Sequence, residues 1–185
     1  MNQHLDNSRR RLLGSGVGLA LATLAIPAAR AGQSQAAAAV ASPQLEEIYQ
    51  AIVDIEPAME LGNGPLGERR MVPITGGSFE GKGLKGKVLA GGADRQLIRA
   101  DGVRELDAVY EMQTDDGAVI SVRNRVTVHQ QLPEGKRYAL SHIELTAPAG
   151  PYAWLNDYVV VGTLQSLKPE RQAVLITAYR VMPAV

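Results

Sequence analysis

The 185-residue chain contains no cysteine, one tryptophan, one phenylalanine and no excess of either charge, with 19 Lys+Arg against 19 Asp+Glu. Without cysteine there are no disulfides, thiol nucleophiles, iron–sulfur clusters or thiolate zinc sites. A balanced charge in which only 21% of residues are ionisable leaves no basic field for nucleic acid. The 45% apolar content is too high for a disordered chain, and the length suits one domain or one domain with an extension.

The N-terminus reads as a targeting segment. Ser8-Arg9-Arg10-Arg11-Leu12-Leu13 sets arginines directly before an apolar run from Leu12 to Ala29, broken by Pro27. Ala29-Arg30-Ala31 has the small-x-small pattern of a cleavage site, so 1–31 is expected to be removed after Ala31. The Gly- and Ala-rich run is a poor permanent membrane span, and the arginine pair before a weakly apolar stretch resembles a twin-arginine export signal. The expected location is the periplasm, with the export machinery as one partner. Removing this segment takes away four basic residues and one acidic residue, leaving the mature chain at −3. Residues 32–43 read as an Ala-rich linker and 44–185 as the folded domain.

Strand signals then repeat at short spacing, bounded by Gly, Pro or Asp. A short turn and a strand from Ile52 to Ile55 are expected before Pro57, followed by strands at Arg70–Thr75, Leu84–Leu89 and Gln96–Arg99. Leu106, Ala108, Tyr110 and Met112 alternate with polar neighbours, and Asp115-Asp116-Gly117 supplies a turn. The partner strand sets Ile120, Val122, Asn124, Val126 and Val128 on one face and Ser121, Arg123, Arg125, Thr127 and His129 on the other. Further strands are expected at Tyr138–Thr146, Ala153–Gly162 and Gln172–Met182. Eight or nine strands with no long helix predict an all-β domain: an antiparallel barrel, closed or nearly so, since closure removes exposed edges.

Three stretches carry a family resemblance: Arg69 to Gly81 (RRMVPITGGSFEG), Gly91-Gly92-Ala93-Asp94, and Thr114-Asp115-Asp116-Gly117 running on to Val122-Arg123-Asn124-Arg125. With Tyr152-Ala153-Trp154-Leu155-Asn156, the chain from about Leu45 onward resembles the family catalogued as domain of unknown function 3237. The resemblance implies a small lipocalin-like β-barrel of unassigned activity, with no catalytic residues to carry over. Arg95 and Ser121 stand where the family commonly has aromatic residues, which implies a smaller or more polar ligand if those rings line the barrel mouth.

Candidate chemistry is sparse. Asp94 follows three small residues and is a candidate general base, or a turn residue bonded to its own backbone. Glu80 is a candidate second carboxylate, or solvated. Arg123 and Arg125 share a strand face and could clamp an oxyanion, or form an outer face paired with Glu111 or Asp107. His142 and Glu144 share a face as an acid–base pair or as solvated groups, and His129 reads as surface. Tyr152, Trp154 and Asn156, alternating on an expected strand with Tyr158, form a ligand wall together with Tyr110, or Trp154 plugs the barrel. His129 and His142 lack ligand-spaced partners, so no metal is expected, and no phosphate-cradling loop or nucleophile elbow appears. No cofactor is expected.

The leading reading is an exported barrel that binds a small apolar or aromatic organic molecule. The alternative is a cofactor-independent isomerase, lyase or lactone hydrolase, using Asp94 or Glu80 as base and Arg123 or Arg125 to stabilise an oxyanion. A third is assembly through an open barrel edge as a homo-oligomer.

Overall fold

The computed structural model describes residues 42–129, 132 and 135–184. The expected export signal and nearly all of the expected linker lie outside them. The strands are β1 (Gln44–Ile55), β2 (Met59–Gly64), β3 (Gly67–Gly81), β4 (Leu84–Val88) and β5 (Ala93–Ile98), then β6 (Arg104–Thr114), β7 (Val119–His129), β8 (Tyr138–Thr146), β9 (Val160–Ser166) and β10 (Ala173–Met182). Among these residues the helical structure of note is a 3-10 turn at Ala153–Asp157.

Every pairing is antiparallel. The neighbours run β1-β10-β9-β8-β7-β6-β4-β3, and β3 returns to β1, which closes an eight-stranded barrel with β2 and β5 as additions. β4 and β5 fill one place in the wall: both lie between β3 and β6, β4 beside Met112–Thr114 and β5 beside Arg104–Val109.

The sequence pattern explains the best-formed part. Along β7 burial alternates without a break, with Ile120, Val122, Asn124, Val126 and Val128 inward. Gly117 takes φ 94° in the turn before it, and the Thr114 amide donates to the Ala118 carbonyl at 2.9 Å.

Three expected elements differ. β1 begins at Gln44 rather than Ile52, because the register with β10 shifts between Glu47 and Tyr49 and breaks the two-residue period. β3 does not stop at Thr75 but runs through Gly76-Gly77 to Gly81. At Gly77, with φ 137°, a Cβ would sit 2.0 Å from the Ile52 carbonyl oxygen, so glycine lets β3 pass against β1 where the barrel closes. The stretch expected as a strand from Ala153 is the 3-10 turn, and β9 starts only at Val160.

The two halves of the interior differ. One is packed solid by Tyr49, Phe79, Leu84, Met112, Ile120 and Leu155, all 2% exposed or less. Tyr49 and Phe79 meet edge to face at 6.3 Å. The other half is open.

Candidate functional site

The open half is a cavity of about 650 Å³, within the range of small-molecule sites. Strand register builds it in rows. Asp94 of β5 stands opposite Ala108 of β6, and Ala108 stands opposite Asn124 of β7. Strands are about 4.8 Å apart, so Asp94 and Asn124 stand about 10 Å apart in the wall, with only a methyl group between them. One row deeper Tyr110 faces Val122, and one row outward Gln96 faces Leu106. Arg104 lies further out on β6, opposite Val128.

Polar groups without partners converge on this space. Asp94 Oδ1, the Tyr110 hydroxyl and Asn124 Oδ1 are all buried and accept or donate no hydrogen bond. Each borders the cavity. A buried polar atom left unpaired costs roughly 1–3 kcal/mol, so three of them facing one void are costly for folding and suited to gripping a ligand.

Asp94 is the chemically distinctive member. Its other oxygen, Oδ2, accepts a hydrogen bond from Gln96 Nε2 at 2.6 Å, which orients the carboxyl. Burial pushes its pKa up to about 6, helped by the charge of Asp107, while the Gln96 bond, the Asp107 backbone amide and the charge of Arg104 pull the other way. Burial also raises the Tyr110 phenol, which therefore stays protonated and able to donate.

The mouth is ringed by Glu56, Arg70, Arg104, Arg137 and Lys168. Arg70 is already engaged, by Glu68 at 2.5 Å and Glu60 at 3.1 Å. Arg137 donates to the Leu164 carbonyl at 2.9 Å. Arg104 is half-buried, and its side chain makes no hydrogen bond or close ion pair among the described residues.

Of the residues singled out in the sequence, the structure brings Asp94 and Tyr110 together here. The others lie elsewhere. Arg123 faces outward and binds Asp107 through both its Nε and Nη2, at 2.9 and 2.8 Å. Arg125 is paired with Glu144 on the same outer surface, beside an exposed His142. Glu80 is exposed on β3, opposite Gln50 and Lys85 and away from the cavity. The strand face proposed for Tyr152, Trp154 and Asn156 does not exist, because the segment coils as a 3-10 turn. Tyr152 bonds Asp116. Trp154 packs edge-on against Tyr158 at 6.3 Å, and the Arg180 guanidinium stacks 4.8 Å from the Tyr158 ring. Asn156 ties the loop by donating to the Ala147 carbonyl and accepting from the Ala147 amide.

Polar cavity residues not singled out from sequence include Gln96, Arg70, Arg104 and Asn124. Asn124 carried a readable signal, being the one amide on an otherwise aliphatic strand face. Arg104 carried a similar one, two residues before Leu106 on the inward face of β6. Among the described residues no three His, Asp or Glu side chains group as a metal-binding set.

A larger groove of about 1470 Å³ runs outside the barrel, past Leu61, Leu66, Leu97, Tyr138 and Leu140. Its ionised groups include the exposed Arg125 and Asp107, paired with Glu144 and Arg123.

The fold and cavity define a closed antiparallel β-barrel with a polar, carboxylate-bearing interior. The chain belongs to the family described as "Protein of unknown function (DUF3237)", whose model matches residues 43–181. It is 46% identical over 139 residues to a UPF0311 protein of Rhodopseudomonas palustris strain TIE-1, covering 66% of this chain and 89% of that one. A solved β-barrel-like protein of Acinetobacter baumannii is 34% identical with a TM-score of 0.68, covering 76% of this chain and 96% of its own. A solved structure described as an enzyme from Penicillium herquei is 26% identical with a TM-score of 0.60, covering 75% and 94%.

Proposed function

We propose that this barrel binds a small organic molecule in its inner cavity and moves a proton on it, with Asp94 as the general acid–base group. The observation that carries this reading is the buried Asp94 carboxyl, fixed through Oδ2 by Gln96 and presenting an unpartnered Oδ1 to the cavity. A carboxyl with a pKa near 6 exchanges protons readily at neutral pH. The Tyr110 hydroxyl is a donor for negative charge developing on the substrate as Asp94 takes its proton, and Asn124 is a second polar anchor. The sequence-based role of Arg125 as oxyanion stabiliser passes to Tyr110. The fold neighbour described as an enzyme supports catalysis over carriage. The basic-then-apolar N-terminal segment supports a periplasmic site of action.

A suitable probe is 5-nitrobenzisoxazole, whose ring C–H gives its proton to a base while its N–O bond opens to a coloured cyanophenolate. The protein is expected to accelerate this elimination above acetate at equal concentration, with a rate that rises as pH passes through about 6. Asp94→Asn is expected to remove the acceleration. An Asp94→Asn rate equal to that of the parent would overturn the proposal.

A further inference from the structure

The cavity mouth carries a charge arrangement that acid–base chemistry at Asp94 does not require. Arg104 lies half-buried in the wall, on the same inward face of β6 as Leu106, Ala108 and Tyr110. Among the described residues its side chain makes no hydrogen bond and no close ion pair, and the carboxylate of Asp94 reaches it only through longer-range attraction. Most arginines elsewhere in the barrel are paired with carboxylates, Arg70 with Glu60 and Glu68, Arg123 with Asp107, Arg125 with Glu144, Arg171 with Asp54 and Arg180 with Glu46, whereas Arg69 and Arg95, which lack such a pair, line the outer groove and not this cavity. Two more cations, Arg137 and Lys168, border the same opening, where among the described residues Glu56 is the only carboxylate besides Asp94. Burial, and then the charges of Arg137 and Arg70, hold the Arg104 guanidinium below its ordinary pKa against a smaller opposing pull from Asp94, so these cations are close enough to feel one another. A partly desolvated arginine facing like charges is unfavourable in the free protein, and a carboxylate placed between them relieves it.

We propose that the molecule taken into the cavity is a small organic acid whose carboxylate is held at the mouth by Arg104, with Arg137 and Lys168 around it. The guanidinium offers the planar fork of donors that a carboxylate accepts in two parallel bonds. Arg104 lies four residues along β6 from Ala108, the residue opposite Asp94, which is about 13 Å of strand. The long arginine side chain covers part of that span. What remains suits one aromatic ring or a short carbon chain between the anchored carboxylate and the reacting proton. Leu106, Val126 and Leu164 supply apolar walls for that stretch.

This inference rests on the cavity being the binding site, as proposed above. Its test compares benzoate with benzamide, which share shape but not charge, by NMR titration of the mature protein. Benzoate is expected to bind at least tenfold more tightly and to shift the Arg104 Nε–H signal. Arg104→Gln is expected to abolish that preference, Arg104→Lys to keep part of it, and Arg123→Gln, on the outer surface, to leave it unchanged. Equal binding of benzoate and benzamide, a preference that survives Arg104→Gln, or no binding of benzoate at all would each overturn the proposal. Elimination of 5-nitrobenzisoxazole that depends on Asp94 would in those cases leave the acid–base reading standing. Conversely, Arg104-dependent benzoate binding without Asp94-dependent elimination would keep the acid site and remove the catalytic reading.

Discussion

Replacing Asp94 by Asn is expected to stabilise the protein at neutral pH while removing its proposed chemistry. The magnitude follows from the titration. Burial raises the carboxyl from 3.8 to about 6, so the folded state holds this proton more tightly than the unfolded state. The stability associated with the proton is complete below about pH 4 and is lost as pH rises through about 6. Two units correspond to about 3 kcal/mol, which is what the ionised carboxylate costs the fold at pH 7.5. Asparagine is nearly isosteric, keeps an oxygen for Gln96 Nε2 and has no charge to desolvate. The variant should therefore match the parent at pH 4 and exceed it by about 3 kcal/mol at pH 7.5, or about 6–12 °C in Tm. Urea unfolding of both proteins at the two pH values measures the difference, and every other titrating group cancels between them. A gap that does not change with pH, or a variant weaker than the parent at pH 7.5, would refute the reasoning.

Tyr110→Phe removes a buried hydroxyl that has no partner, so the unfolding free energy from urea titration should rise by about 1 kcal/mol while 5-nitrobenzisoxazole turnover falls. Gly77→Ala forces a Cβ to within 2.0 Å of the Ile52 carbonyl at a backbone φ of 137°, and should cost more than about 3 kcal/mol, seen as a collapse of amide-exchange protection along β1 and β3. Asn156→Ala deletes the bonds to the Ala147 amide and carbonyl and to the Ala153 carbonyl, and thermal unfolding should report a loss of about 2–3 kcal/mol. Arg123→Ala breaks an exposed pair with Asp107 and should cost under about 1 kcal/mol.

The barrel was legible in the sequence wherever alternation was unbroken. The β6–β7 hairpin and β8 follow directly from period-two patterning and an Asp-Gly turn. β1 was obscured by its bulge: a shift between Glu47 and Tyr49 moves side chains out of phase, so neither helical nor strand spacing fits the whole segment. The glycines at 76 and 77 look like a strand terminator because glycine weakens strands, yet here close passage against Ile52 requires Gly77, and Gly76 takes a φ of 148°. Trp154 and its neighbours alternate like a strand, but they coil as a 3-10 turn that buries Leu155 while Tyr152 and Trp154 pack half-buried against the same core.

The site was half legible. Asp94 stood out because small residues precede it, and Tyr110 because it shares the apolar face of β6. The arginines at 123 and 125 were conspicuous in sequence and belong to the outside, while Arg104 and Asn124, which point inward, drew no attention. Inward and outward are settled by closure of the sheet, a long-range property. A polar residue on an otherwise aliphatic strand face is the local trace of it, and Asn124 and Arg104 are two such residues.

The most direct test of the account is a carbon-13 NMR titration of the Asp94 carboxyl in the full-length protein, assigned by comparison with Asp94→Asn. The account predicts a midpoint near pH 6, moving upward when benzoate occupies the cavity and adds negative charge beside it. A midpoint at or below the ordinary aspartate value, unmoved by benzoate, would contradict it.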